Sequence, residues 1–361
     1  MSYGLQVETN YPLVSIVILN YNGKNYLVNC ISSVLATKYS NFEVILVDNA
    51  STDSSLETAV KAFGADPRIK VVKNKLNLGF SGGNNVGFGY SKGDYIVFLN
   101  NDTVVDPDWL VYLVSAMQND PTIGLAQSMI LTIDGEKIQT AGWLFSNYLI
   151  RKHQLCKDKP SNLKFQSVFE VSFVCGASMI IRREVVEEMG LFDSKIPFFY
   201  DDTLLSLKTW LAQKRVVTVS GSRIRHVGGG TNVWNIQFTT YHLLQSNICL
   251  LFDVYSRLAD LIRALLINAF NLSANSIFCL KRKNMAAVLG NIQGLAWGLS
   301  NFKYLWQNRL NNWSKTEIQQ KQLEEKFLRL KLPVPFYLIP SRLSADYFTF
   351  EVGKYENAIS A

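Results

Sequence analysis

The sequence predicts an α/β protein built on a mostly parallel sheet, and three observations carry that expectation. Short apolar runs rich in β-branched residues recur along the first hundred positions, of the kind buried on both faces of a parallel sheet. Between them, apolar residues return at helical spacing. Nearly every run stops abruptly at Asn or Asp. In an open parallel sheet the carboxyl ends of the strands share one edge, so a row of polar ends makes a ligand crevice.

Taken in order, Val14 to Leu19 is a strand that ends at Asn20-Tyr21-Asn22-Gly23. Leu27, Cys30, Ile31, Val34 and Leu35 form one face of a helix. Phe42 to Val47 is a second strand, ending at Asp48-Asn49 and followed by a helix with Leu56, Ala59, Val60 and Phe63 inward. Ile69 to Val72 is a third strand, followed by a glycine-rich connection from Asn77 to Asn85 that opens a short helix. Tyr95 to Leu99 is the fourth, and it runs directly into Asn100-Asn101-Asp102. This β-α-β-α-β-α-β order implies right-handed crossovers. Pro107 and Asp108 start a helix at Trp109, and Ile123 to Leu131 is again a strand. After an irregular stretch, Phe173 to Arg183 reads as a turn into a strand with a basic end. Tyr200-Asp201-Asp202 begins a helix through Leu205 and Trp210. Val216 to Val219 is a late strand leading to His226 and its glycines.

Composition sets bounds on partners. A chain of 361 residues, 48% apolar and 18% charged, can bury a full core and carry an appendage. The division expected is a catalytic domain over 1–238 and a helical, basic region over 239–361. The polar start, Met1 to Pro12, lacks the pattern of a secretory signal, so a cytoplasmic protein is the expectation. Five cysteines without metal-ligand spacing read as thiols in a reducing compartment. Nearly all of the net charge of +7 lies beyond Ile236, which suits an anionic membrane better than nucleic acid. Leu261 to Leu280 approaches the composition of a membrane span, but Arg263, Asn268, Asn271 and Asn275 interrupt it. The region from Tyr241 to Arg309 is therefore expected to lie on the inner face of a membrane or to pack on the catalytic domain. A polar helix over Lys315 to Leu330 and a Pro-rich tail follow.

These motifs, in this order, resemble glycosyltransferase family 2, the GT-A nucleotide-diphospho-sugar transferases, and especially their rhamnosyltransferase-like branch. The resemblance covers about Val14 to Thr231. It implies transfer of a sugar, with inversion, from a UDP- or dTDP-sugar (dTDP-rhamnose among them) to a hydroxyl of a glycan or lipid-linked acceptor. It makes Asp102 a ligand of Mg²⁺ or Mn²⁺, with His226 as a second ligand. Asn100 stands where the family carries the first acid of its metal motif. Asp202 becomes the general base, with Asp201 beside it contacting the acceptor or orienting the loop. Asn20, Asn22, Asp48, Asn49, Gly82, Gly83, Asn84, Asn100 and Asn101 are expected along the donor, with Asn49 against the base and the glycines letting backbone approach the donor. Arg182 and Arg183 are candidates for acceptor phosphates. Leu204 departs from the pattern, since the family often has an acid there. That departure and Asn100 keep open a non-catalytic alternative, a sugar-nucleotide-binding or scaffold protein at the membrane. A nucleotidyltransferase would want a Gly-rich basic loop after the first strand, and Asn20 to Lys24 offers one glycine. Oligomeric state is not legible.

Overall fold

The computed structural model of the chain describes residues 11–149, 152–196, 198–228, 235–331 and 345–360. Strands β1 (Val14–Asn20), β2 (Phe42–Asp48), β3 (Ile69–Lys73) and β4 (Tyr95–Asn100) stand parallel in the order β3-β2-β1-β4. Both faces of β1, β2 and β4 are covered, which is why their sequences read as apolar runs. In register, Asn20 lies beside Asp48, and Leu19 beside Asn100, so the polar ends gather on one edge. Helix α1 (Leu27–Leu35) buries Leu27, Cys30, Ile31 and Val34 as expected. Helix α2 (Ser55–Phe63) buries Leu56 and Ala59 but leaves Val60 exposed.

The glycine-rich segment is itself a helix, α3 (Gly79–Tyr90), and not a connection that precedes one. Packing explains this. A Cβ at Gly83 would lie 2.4 Å from Leu19 Cδ1, and one at Gly87 would lie 2.3 Å from Val17 Cγ1. The helix rests so close to β1 that no side chain fits between. Gly87→Ala improves intrinsic helix propensity by about 1 kcal/mol, but the inserted methyl overpacks the interface at a cost of about 1–3 kcal/mol. The clash dominates, so the expected result is a lower urea midpoint; an unchanged or higher midpoint would contradict this packing.

The sheet continues beyond β4 with a reversal. Chain order adds β5 (Thr103–Val105), α4 (Trp109–Asn119), β6 (Ile123–Thr132), β7 (Ile138–Thr140), β8 (Trp143–Phe145), β9 (Lys152–Gln154) and β10 (Val168–Glu170). Then follow β11 (Ser178–Arg182), α5 (Arg183–Met189), α6 (Asp201–Leu211) and β12 (Arg215–His226). Strand β11 runs antiparallel between β4 and β6, pairing Ser178 with Leu99 and Arg182 with Tyr95. Its start therefore sits on the polar edge, and its basic end sits on the opposite edge. Arg182 Nε donates to the Ile123 carbonyl at 2.7 Å, and Arg183 Nε to the Gly93 carbonyl at 2.7 Å. Their expected role toward acceptor phosphates is thus corrected: both hold the far edge together. Strand β12 is longer than the sequence suggests. A register shift between Val219 and Arg223 carries it on to His226, opposite Thr103 of β5.

Helices α7 (Ile236–Val254), α8 (Leu258–Lys281), α9 (Met285–Ser300), α10 (Phe302–Ser314), α11 (Gln320–Phe327) and α12 (Ala345–Ile359) complete the chain. The polar helix expected from Lys315 forms only over α11, where Gln319 and Gln322 cap each other's backbone. The core runs without a break from the sheet into these helices, joining Leu205 and Trp210 to Leu250, Leu261 and Phe327. Glu356 of α12 accepts from the Cys156 backbone and pairs with Lys159 at 2.7 Å, while Arg329 pairs with Glu170. The glycines at 229 and 230, Thr231, the start 1–10 and the Pro-rich stretch 332–344 lie outside the described residues.

Candidate active site

The polar edge is knitted by one amide. Asn20 is fully buried; its Oδ1 accepts from Asn101 Nδ2 at 2.9 Å, and its Nδ2 lies 2.9 Å from Asp48 Oδ1 and 2.8 Å from Ser55 Oγ. It fixes the ends of three strands and is sealed from solvent. Gly23 is obligatory here: a Cβ would sit 2.3 Å from Asn101 Nδ2 and 2.5 Å from Asn20 Oδ1. Asn22 takes a positive φ of 51° and accepts from the Thr52 backbone at 2.8 Å, folding the first loop over the second.

Asn49 does not face a base. Its Nδ2 donates to Asn77 Oδ1 at 2.8 Å and to the Gly79 carbonyl at 3.0 Å. Its Oδ1 accepts from Asn74 Nδ2 at 3.0 Å and from Leu78 N at 3.1 Å. That exhausts an amide's two donors and two lone pairs. Asn84 is buried and donates within its own helix, to the Phe80 carbonyl at 3.1 Å. Gly82 and Gly83 serve packing, against Leu78 and Leu19 respectively. Asn20, Asn49 and Asn84 thus carry scaffold hydrogen bonds, and Gly82 and Gly83 close packing. Asn22 and Asn100 are half-buried, and Asp48 and Asn101 nearly covered, so these remain the polar groups of the edge.

Asp102 follows β4 directly, and β12 delivers His226 to it. His226 Nε2 lies 3.1 Å from Asp102 Oδ1, and His226 Nδ1 lies 2.7 Å from Gln139 Oε1. The amide oxygen can only accept, so it takes the Nδ1–H and leaves Nε2 as the ring atom that faces the carboxylate. Two lone-pair atoms at that distance repel unless a cation or proton lies between them. A carboxylate oxygen and an imidazole nitrogen are a fitting donor pair for Mg²⁺ or Mn²⁺. Among the described residues no set of three or more His, Cys, Asp or Glu gathers around a metal-sized point. The protein side of such a site is this pair.

The acid pair stands across the start of β11. Asn100 N donates to the Ala177 carbonyl at 3.1 Å, while Gly176 N, one residue earlier, donates to Asp202 Oδ2 at 3.2 Å. The loop before β11 thus links the end of β4 to the first turn of α6. Asp201 Oδ1 accepts from Ser81 Oγ at 2.9 Å. Burial, then the charge of Asp202, pushes the Asp201 carboxyl up to about 8. Burial also raises Asp202, but the Lys152 ammonium and the Gly176 and Thr203 N–H groups oppose it. Two adjacent acids pushed apart in this way divide their roles, Asp201 holding a proton and Asp202 giving its own up more readily. Between the sites, Cys175 feels both Asp102 and Asp202; burial and these charges raise its thiol to about 12, so it stays neutral.

Leu204 is buried in the core, so the acid absent there would point away from this cleft. Lys152 and Gln139 escaped the sequence reading, and Ser81 and Gly176 were read only as parts of motifs, without these contacts. Tyr200, the residue before the acids, donates its hydroxyl to Asp253 of α7, which also accepts from Asn312 of α10 at 3.0 Å. The C-terminal helices therefore anchor the mount of the acid pair. Burial raises Asp253 to about 7 from an ordinary 3.8. The folded protein keeps a proton there that the unfolded chain gives up, so stability from this group is lost as pH rises between those values. Asp253→Asn cannot titrate. The expected result is that the Tm difference, wild type minus variant, shrinks as pH rises through that window; a growing difference would contradict it.

Residues 15–190 match the family model described as Glycosyl transferase family 2. Two relatives from Haemophilus influenzae, each described as an uncharacterized glycosyltransferase, are 32% and 34% identical over 128 and 131 residues. These alignments cover 35% and 36% of this chain but 40% and 52% of the relatives, so the chain spans about half of their length or less. The O-antigen biosynthesis protein RfbC of Myxococcus xanthus is 30% identical over 234 residues, 62% of this chain and 18% of that protein. Among solved structures, GalNAc-T7 with UDP, GalNAc and Mn²⁺ superposes with a TM-score of 0.53 at 20% identity, covering 65% of this chain and 48% of that one. S. aureus TarS 1-349 in complex with UDP-GlcNAc gives 0.51 at 15% identity, covering 88% and 92%. At such identities the likeness is one of fold, and the fold is GT-A.

Proposed function

We propose, from the match of residues 15–190 to glycosyl transferase family 2 and the GT-A fold, an inverting, metal-dependent transferase that moves a sugar from a UDP- or dTDP-sugar to an acceptor hydroxyl. The observation that carries this reading is the convergence of two pairs on one sheet edge, Asp102 with His226 and Asp201 with Asp202. Asp102 and His226 would hold Mg²⁺ or Mn²⁺; such a cation neutralises charge developing on a leaving diphosphate. Asp202 Oδ accepts the proton of the attacking hydroxyl, and its rigid mount at the start of α6 keeps it aimed. Asp201, protonated, donates toward the acceptor. Asp48, Asn22, Asn100 and Asn101 line the donor side. Calorimetric titration with UDP, dTDP, GDP and ADP in Mn²⁺ tests the donor assignment. UDP or dTDP is expected to bind at least about tenfold more tightly than the purine nucleotides, a difference of about 1.4 kcal/mol. Preference for a purine nucleotide would overturn the choice of base.

The helical region supports work at the inner face of a membrane, peripheral to it. Helix α8 alone among the described helices has the length and composition of a span. Its Leu261, Ala264 and Ile267 pack inward, and Asn268 donates to the Tyr148 carbonyl at 2.7 Å, so one face is tied to the body. Leu258, Ile262, Leu266, Phe270 and Ile277 make an exposed stripe along the other face. A helix of 24 residues is about 36 Å long, with Arg257 at one end and Lys281, Arg282 and Lys283 at the other, which suits a helix lying flat. Each basic residue near an anionic surface adds about 1 kcal/mol. Flotation with phosphatidylglycerol vesicles at low salt is expected, and changing Lys281, Arg282 and Lys283 to Gln should weaken binding by about 10²-fold. Protein that stays at the bottom of the gradient would sink the membrane reading.

A further inference from the structure

Tyr200, Asp201 and Asp202 are consecutive, and three different parts of the fold hold their side chains. Asp201 meets Ser81 of α3, and Asp202 meets the Gly176 backbone in the loop before β11. The buried Tyr200 donates to Asp253 of α7, whose other oxygen accepts from Asn312 Nδ2 at 3.0 Å. Asn312 is one of a stripe. Tyr304, Asn308 and Asn312 stand at i, i+4 and i+8 of α10, on one face of the helix. Tyr304 and Asn308 both donate to Asp193 Oδ2, Asn308 at 3.3 Å. One face of α10 thus delivers three polar side chains to two carboxylates. Lys208 of α6 donates to the Leu191 carbonyl at 2.6 Å and feels the charge of both.

Each carboxylate leads to the acid pair by its own route. From Asp253 the route is Tyr200, which directly precedes Asp201. From Asp193 it is a short turn. Ile196 N donates to the Asp193 carbonyl at 3.1 Å, and the Ile196 carbonyl lies 3.1 Å from the same Ser81 hydroxyl that meets Asp201. Apolar residues of similar volume are often as stabilising as buried polar pairs, but they carry no direction. Direction is what an acid pair needs from its mount. We infer that Tyr304 and Asn312 are positioning residues of the transfer reaction: through Asp193 and Asp253 they set the aim of Asp201 and Asp202 without touching substrate. The effect on rate rests on the transferase reading; the hold on the acid pair does not. Helix α10 lies beyond the residues 15–190 that match the family, so this hold belongs to the C-terminal region.

The test compares Tyr304→Phe, Asn312→Leu and Thr316→Val in the full chain. Thr316 donates to the Leu211 carbonyl at the far end of α6, so its variant removes a tie to the same helix away from the acids. Tyr304→Phe keeps Asn308 on Asp193, so the test stands even where Asn312→Leu does not fold. Release of nucleoside diphosphate from UDP- and dTDP-sugars is read beside UDP affinity in Mn²⁺. Amide hydrogen exchange is read at Gly176 and Thr203, whose N–H groups both donate to the Asp202 carboxylate. A small misplacement of a reacting group costs up to about 10²-fold in rate. Tyr304→Phe and Asn312→Leu should each lower kcat about tenfold, quicken exchange at both amides about tenfold, and leave UDP affinity within error. Thr316→Val should lower Tm and change none of the three. Ser81→Ala added to Tyr304→Phe should cost no more than the worse of the two alone, since both act on one route. Unchanged kcat and exchange in both α10 variants overturns the inference. So does an equal loss in Thr316→Val, which would make the effect one of stability. If no sugar nucleotide is hydrolysed while exchange at Gly176 and Thr203 quickens, the transferase reading falls and the hold on the acid pair stands.

Discussion

Asp202→Asn is expected to lower turnover by about 10²-fold or more while UDP affinity stays within error, because the amide keeps the shape and loses the proton acceptor. Asp201→Asn should cost far less. Asp201 is already pushed up to about 8 by burial and by its neighbour, so at neutral pH its acid form is the one present, and an amide imitates that form. The pair also gives the reaction a pH sign. Turnover requires Asp202 ionised, so the rate falls as pH falls. Lys152→Gln, which removes the ammonium that opposes the burial of Asp202, should move that fall to higher pH. Measuring kcat and UDP affinity for both carboxylate variants checks the assignment. If Asp201→Asn abolished turnover and Asp202→Asn did not, the roles within the pair would be reversed.

Asp102→Ala is expected to cost about 10²-fold or more in turnover and to remove the Mn²⁺ dependence of nucleotide binding, since the only carboxylate of the proposed metal pair is gone. His226→Ala leaves that carboxylate in place and should weaken binding less. Gln139→Leu is the informative companion. It touches no ligand directly, yet it releases the ring nitrogen that fixes His226, so a loss of about tenfold in Mn²⁺ affinity is expected. Titration of Mn²⁺ against UDP binding reads all three. Undiminished Mn²⁺-dependent binding by the Asp102 variant would remove the metal site from this pair.

The sheet was legible because burial on both faces writes itself as apolar runs, as in Val14 to Leu19 and Tyr95 to Leu99. Asp102 and the acid pair were legible because a ligand edge must end strands in polar residues and a helix start tolerates acids. The direction of β11 was not legible, since a strand's residues do not state which way it runs, and Arg182 and Arg183 were misplaced for that reason. The hydrogen bonds of the amides were not legible for a different one. Asn20 and Asn49 stand at strand ends and Asn84 inside α3, and an amide that serves a ligand and one that ties the scaffold look identical in sequence. The glycines of α3 were read as letting backbone approach the donor, and the closeness of Gly83 to Leu19 and of Gly87 to Val17 appears only in the fold. Lys152 and Gln139 reach the site only through the fold, so neither carries a local signal.

The central claim is that this edge cleaves a sugar from its diphosphate with the help of a cation and without a covalent intermediate. The most direct measurement is release of nucleoside diphosphate from a panel of UDP-, dTDP- and GDP-sugars by the wild-type chain, in Mn²⁺ and in excess EDTA, with the anomeric form of the product read by proton NMR. The account predicts slow hydrolysis of one UDP- or dTDP-sugar, suppressed by EDTA, with inverted configuration at the anomeric carbon. Retained configuration, or full activity in EDTA, would contradict it.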